Sequence, residues 1–175
     1  SGAARMVGVL AVGNLVKRPN GDMVGALSPR YTLADRSSNS ASSLYSAVGD
    51  GILYRTDHDG ANPTRIAATE GQLLDPIGVL VADDAGNIYG VDMGPAGNGR
   101  LFMLDASDTF SVLHEFAAGP DGRKHIPAGM VLGSDGLIYG VTAYRRGIPG
   151  TDGIPASADT QTGTLYRIDP AAPGS

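Results

Sequence analysis

The stretch Pro76 to Val91, reading P-I-G-V-L-V-A-D-D-A-G-N-I-Y-G-V, returns as Pro127 to Val141, reading P-A-G-M-V-L-G-S-D-G-L-I-Y-G-V, with Tyr89 and Tyr139 50 residues apart. A second unit follows each copy. It is G-R-L-F-M-L-D from Gly99 and G-T-L-Y-R-I-D from Gly163, with an earlier relative, G-I-L-Y-R-T-D, from Gly51. Self-similarity at such a period marks a repeat architecture and governs the fold ahead of any local reading. In the clearest copy, runs of β-branched, aromatic and leucine residues bounded by turn residues predict strands near Ile77 to Val81, Asn87 to Val91, Arg100 to Leu104 and Phe110 to Phe116. The first pair closes through Asp-Ala-Gly in one copy and Ser-Asp-Gly in the other, where glycine supplies the positive φ of a tight hairpin.

Four strands per repeat predict one four-stranded antiparallel blade per repeat. The fold expected is therefore all-β and β-propeller-like, because radially arranged sheets bury both faces against their neighbours. A sandwich of irregular strands is the competing architecture. Residues 1–175 read as a single propeller-like domain or fragment, with repeats over 75–118 and 127–172 and an irregular one over about 5–72. Within the irregular one, Gly8 to Val12, a turn at Asn20-Gly21 and Asp22 to Ala26 form a weak copy of the first hairpin. Leu44 to Val48 competes for its second strand, beyond a Ser-rich run from Ser37 to Ser43. Propellers have about four to eight blades, so the expectation is an incomplete ring in one chain. Open strand edges then favour self-association or further blades of a longer chain, unless the N-terminal strands complete a small irregular closed form.

Composition narrows the chemistry. The 26 glycines and 11 prolines follow no triplet period, which excludes collagen and predicts many turns. Glu70 and Glu115 are the only glutamates among 18 acidic residues, and Lys17 and Lys124 the only lysines, so helix formers are scarce. A net charge of -5 argues against a nucleic-acid partner, whose affinity rests on clustered Lys and Arg. The absence of cysteine removes disulfides, thiolate catalysis and zinc-thiolate sites. No apolar run approaches the roughly 20 residues of a membrane helix, so no membrane insertion is expected.

No cofactor and no metal are expected either. The chain has no Gly-x-Ser-x-Gly and no phosphate loop, and Gly94 to Gly99 lacks the strand-to-helix context of a dinucleotide site. His58, His114 and His125 lack the spacing of a metal cage. Asp57 to Asn62 and Asp83 to Asn87 read as hairpin turns rather than calcium loops, since neither has the terminal bidentate Glu or flanking helices.

The motifs D-A-G-N-I-Y-G-V, G-S-D-G-L-I-Y-G-V-T, F-S-V-L-H-E-F and G-T-L-Y-R-I-D-P, in this order over about Gly51 to Ala172, resemble the GloVer tandem repeats of bacterial, mostly extracytoplasmic proteins. The resemblance implies a propeller-like fold and an extracytoplasmic location, periplasmic or secreted. It implies no activity and no catalytic residue.

Alternating strands put the first-to-second and third-to-fourth connections on one side and the remaining connections on the other. The second side carries the long loops, Asp92 to Asn98 and Thr142 to Thr162, together with Gly71 to Asp75 and Gly119 to Ile126. Long loops on a rigid scaffold gather binding residues, and here they hold Asp75, Asp92, Asn98, Asp121, Arg123, Lys124, His125, Tyr144, Arg145, Arg146 and Asp152. The ligand-binding set expected is Arg123, Lys124, His125, Tyr144, Arg145, Arg146, Asp152 and Asp92. Arg forks and a Tyr ring suit a carbohydrate or another anionic or hydroxyl-rich ligand. A solvated loop residue is the bland reading of each.

Three functional readings compete, one of them purely structural repeat packing within a larger cell-surface protein. A non-catalytic binding or scaffold module fits repeats without a chemical constellation. A glycoside hydrolase or lyase would draw paired carboxylates from Asp75, Asp92, Asp121 and Asp152. Tyr54, Tyr89, Phe102, Tyr139 and Tyr166 read as packing between blades rather than as a ligand platform, and Tyr139 is expected to be buried.

Overall fold

The computed structural model describes residues 10–28, 51–69, 71–117, 125–144 and 163–172. Its elements are almost entirely strands. The first sheet is a meander of β1 (Leu10–Lys17), β2 (Met23–Ser28), β3 (Ile52–Thr56) and β4 (Thr64–Arg65). The second contains β5 (Pro76–Ala82), β6 (Ile88–Asp92), β7 (Arg100–Leu104) and β8 (Phe110–Glu115), and the third β9 (His125–Leu132), β10 (Ile138–Tyr144) and β11 (Thr164–Ile168). All pairings are antiparallel between neighbours in sequence. One 3-10 turn, Ala67–Thr69, lies between the first two sheets. The expected strands of the second sheet coincide with the observed ones to within a residue. The N-terminal hairpin is also present, turning through Gly21 at φ 98°. The third sheet has three strands among the described residues, where four were expected. The competing strand at Leu44 to Val48 lies outside the described residues.

One cross-strand pair recurs in every sheet. The glycine of the second strand faces the aromatic residue of the third: Gly25 opposite Tyr54, Gly90 opposite Phe102, Gly140 opposite Tyr166. In each case the ring lies over the glycine, in the space that a Cβ would need. Because side chains alternate along a strand, this pair sorts each sheet into two faces. One face carries Met23, Gly25 and Tyr54, repeated as Ile88, Gly90 and Phe102, and as Ile138, Gly140 and Tyr166. The other carries Val24, Ala26 and Leu53, repeated as Tyr89, Val91 and Leu101, and as Tyr139, Val141 and Leu165.

The sheets stack opposite face to opposite face. Val24, Ala26 and Leu53 form one core with Leu80, Ile88, Phe102 and Leu104, closed from the side by Ile66 and Leu73. Tyr89, Val91, Leu101 and Leu113 form a second core with Met130 and Ile138. At these junctions the first strands of successive sheets are neighbours, β1 beside β5 and β5 beside β9. Both β1 and β5 are bulged there, and the side chain of Asn14 fills the gap as a short strand edge would. Its Nδ2 donates to Leu80 O at 3.1 Å and its Oδ1 accepts from Leu80 N at 2.8 Å.

A second repeated joint lies where the third strands begin. Gly51 and Gly99 each receive the ring of a proline in the first strand of the next sheet, Pro76 of β5 and Pro127 of β9. A Cβ on Gly51 would lie 2.9 Å from Pro76 Cγ, and one on Gly99 3.2 Å from Pro127 Cγ. On the tight-turn side, buried Arg18 in the β1–β2 turn binds Asp108 at 2.8 Å and donates to Asp105 O at 3.0 Å, and Arg55 also pairs with Asp108. The first two sheets are thus clamped at both ends of their strands.

The aromatic residues do not all play one role. Phe102 and Tyr89 are buried between sheets, but Tyr139, expected in the core, is half-buried. Its face of the third sheet has no following sheet over it among the described residues, and its hydroxyl donates to Asp135 at 2.7 Å. Tyr166 is the opposite case. Its hydroxyl is buried without a hydrogen-bond partner among the described residues, at the position where the second sheet has Phe102.

Three substitutions test this packing. Gly90→Ala places a methyl against Phe102 and 2.7 Å from Leu80 Cδ2, and should lose about 1–3 kcal/mol to overpacking. Gly129→Ala, which meets nothing within 4 Å, should stay within about 0.5 kcal/mol of the parent in urea unfolding. Tyr166→Phe removes an unpaired buried hydroxyl and should raise stability by about 1 kcal/mol, and a loss of stability would show that the hydroxyl is paired.

Candidate functional site

The connection from β6 to β7 builds a shallow depression on the long-loop side. Asp92 ends β6 and Arg100 opens β7, directly opposite each other in the register. Arg100 donates from Nε to Asp92 Oδ1 at 2.7 Å and from Nη2 to Oδ2 at 2.8 Å, a bidentate fork. Asp92 is 0% exposed, and its oxygens also accept the amides of Leu74 at 2.8 Å and Gly94 at 3.1 Å. Arg100 donates further to Gln72 O and lies 5.8 Å above the centre of the Phe110 ring. One ion pair therefore ties together the β6–β7 connection, the chain entering β5, and β8. The amide of Met93, which donates to Leu74 O at 2.9 Å, adds a backbone tie between the same two connections.

Above this pair, Met93, Gly94, Pro95, Ala96, Asn98 and Gly99 face Glu115, Phe116 and Ala117 across a depression of about 270 Å³, with Arg100 in its wall. Glycines at positive φ, Gly94 at 61°, Gly97 at 67° and Gly99 at 89°, let the connection fold tightly over the fork. Phe116 meets Tyr166 edge to face at 5.0 Å and His114 at 4.8 Å, so the wall reaches the third sheet. Asp92 takes up Nε and Nη2 of Arg100, and Glu115 is the one carboxylate among the described residues that line the depression.

The residues expected at the site fall into three groups. Asp92 is present at the depression but supports it from beneath: a carboxylate with no exposure and four donors cannot also bind a ligand. Asp75 is likewise buried, at φ 53°. Asn98 lines the depression. His125 and Tyr144 are register partners at the ends of β9 and β10, two positions from Pro127, which packs on Gly99. The topology thus brings the backbones of His125 and Tyr144 to the side of the fold that carries the depression. Asp121, Arg123, Lys124, Arg145, Arg146 and Asp152 lie outside the described residues.

Arg100, Glu115 and Phe116 were not expected at a site. The signal for Arg100 lay in a departure from the repeat. The pair corresponding to Asp92 and Arg100 is Leu27 and Ile52 in the first sheet and Thr142 and Thr164 in the third. An acid and a base appearing together at one register position mark an ion pair.

Titratable groups elsewhere serve the fold. At the β5–β6 turn, burial pushes the Asp83 carboxyl up, but hydrogen bonds from the side chain and amide of Asn87, from Tyr89 and from the Ala85 amide outweigh it. The group is held below its ordinary range. Burial first, then the bond to Asp83, pushes the Tyr89 phenol up to about 12. The Asp135–Tyr139 pair repeats this arrangement in the third sheet. Among the described residues, no three His, Asp or Glu side chains converge as a metal cage, and no helix is long and apolar enough to cross a membrane. Set against models of protein families and against curated protein sequences, the chain matches none.

Two outcomes follow. Asp92→Asn leaves Arg100 without a counter-charge and should cost about 3–5 kcal/mol in urea unfolding. The double change Asp92→Leu with Arg100→Ile, which copies the first sheet, should recover at least half of that loss. The Asp83–Tyr89 pair should act at both pH extremes. Asp83 contributes above the ordinary carboxylate pKa near 4, and the contribution is lost as pH falls through its depressed value. Tyr89 contributes below the ordinary phenol pKa near 10, and the contribution is lost as pH rises toward about 12. Tyr89→Phe should raise the Asp83 pKa in an NMR titration, and an unchanged titration would contradict the pairing.

Proposed function

We propose that the chain is a non-catalytic binding or scaffold module whose three sheets are blades of a propeller-like array, with a carbohydrate-like, hydroxyl-rich ligand bound on the long-loop side. The observation that carries this reading is the depression over the Asp92–Arg100 fork. It is rigidly supported and lined by donors, a carboxylate and an aromatic edge, and among the described residues that line it Glu115 is the one carboxylate, whereas paired acid–base work takes two. The radial arrangement is supported by adjacent first strands and by the use of opposite faces at both sheet junctions. Three such blades form an incomplete ring. The resemblance to GloVer repeats favours an extracytoplasmic setting, where glycans and cell-surface polymers are the available ligands. His125 and Tyr144, at the ends of β9 and β10, are proposed to extend the surface together with Arg123, Lys124, Arg145, Arg146 and Asp152, which lie outside the described residues.

The test is a glycan array run beside a hydrolysis screen of the same panel. Binding without turnover is expected. Asn98→Ala, and separately Arg145→Ala with Arg146→Ala, should weaken it about tenfold, the loss of one good hydrogen-bonded contact. Turnover of any glycan would replace this reading by that of a propeller hydrolase or lyase, and binding untouched by both variants would move the site elsewhere.

A further inference from the structure

The two outermost faces of the three-sheet stack are the two halves of a junction that the chain already makes twice. At each internal junction, the Leu-bearing face of one sheet receives the Gly and aromatic face of the next. Among the described residues, the third sheet ends the stack with its Leu-bearing face uncovered. Val91 and Leu101 are 2% and 0% exposed, while their counterparts Val141 and Leu165 are 48% and 74% exposed, with Val131 beside them at 61%. Among the described residues, the first sheet begins the stack with its Gly and aromatic face uncovered. Leu15, which packs over Gly25 beside Tyr54, is 48% exposed, and Met23 and Tyr54 are half-buried where Ile88 and Phe102 are fully buried.

The proline joint is open in the same sense. Gly51 holds Pro76 and Gly99 holds Pro127, while Gly163, at the same place in the third sheet, is exposed and meets only the backbone of Thr142. In the first sheet the register position of Pro76 and Pro127 is held by Ala11, opposite Leu27.

We propose that these faces close on each other between two copies of the chain, the third sheet of each seating the first sheet of the other, to form a two-fold ring of six blades. This rests on the propeller-like reading above. The occupant is a second copy because the complementary surface is carried by the chain itself, and because two copies of three sheets give a number within the range of about four to eight blades that closes. The contact is heterologous, so it forms a ring when the rotation closes and an open polymer when it does not. Each contact would cover Val131, Val141 and Leu165 of one copy with Leu15, Met23 and Tyr54 of the other.

Light scattering across a dilution series should give a particle of twice 17.8 kDa. Leu165→Asp and Leu15→Lys, each at an exposed position, should each give a monomer with the parent's circular dichroism and thermal transition. Mixed in equal amounts, the two variants should regain a dimer, since one contact is then free of substitution and the other brings opposite charges together. Should either variant lose its fold, the cysteine-free chain allows a second reading. Leu15→Cys and Leu165→Cys should cross-link by oxidation when mixed and not when alone. A monomer at every concentration, an open polymer, or dissociation by Leu165→Asp but not by Leu15→Lys would each overturn the proposal. A monomer that still binds glycan would overturn it while leaving the binding function standing. A dimer without any ligand on the panel would do the reverse.

Discussion

An aromatic ring lying over a glycine on the neighbouring strand is the constraint on which the rest of this molecule depends. Glycine in a strand interior costs conformational entropy and contributes no side chain, and the ring of Tyr54, Phe102 or Tyr166 supplies the missing apolar surface. The pairing also fixes register. A slip of one residue would turn the ring to the wrong face and bring a side chain into its place. With register fixed three times in the same way, every sheet acquires one face with a shallow trough and one with a projecting leucine, and the sheets can stack in only one order.

The long-loop side of the fold inherits this order. Because second and third strands are locked at the Gly–aromatic pair, their far ends meet at a defined position two residues on. There the three sheets use three different pairs: Leu27 with Ile52, Asp92 with Arg100, and Thr142 with Thr164. The middle sheet has neighbours on both sides, and its pair is also the one enclosed by the connection entering β5. A charged fork in that enclosure is held by four donors to Asp92 and by Phe110 beneath Arg100, and so forms a firm base for the connection above it. Variation at one register position of a uniform scaffold is how repeats acquire a site without disturbing the stack.

Much of this was legible in the sequence, and the parts that were not have identifiable causes. The strands of the second sheet follow from Tyr89-Gly90-Val91 and Gly99 to Asp105 because each run is short, alternating and bounded by turns. The first sheet was harder to read, since a bulge around Gly13 and Asn14 interrupts β1 and breaks its alternation. The aromatic residues looked alike in sequence, yet Tyr89 and Tyr139 lie on the leucine face and Tyr54, Phe102 and Tyr166 on the trough face. The cross-strand register separates the two sets, and Tyr139 stays half-buried because no following sheet covers its face among the described residues. Asp92 looked like a loop ligand because its partner Arg100 is eight residues away, and a hairpin register is needed to bring the two into contact.

The most direct test of the Gly–aromatic constraint is the proton NMR shift of the glycine α-protons. A ring stacked over the position of the missing Cβ shields the α-proton that points at it. Gly25, Gly90 and Gly140 should each show one α-proton displaced strongly upfield, while Gly129, which no atom approaches, should show neither displaced. Shifts at the three glycines that match those of Gly129 would mean that the rings lie elsewhere, and the order of the sheets would lose its cause.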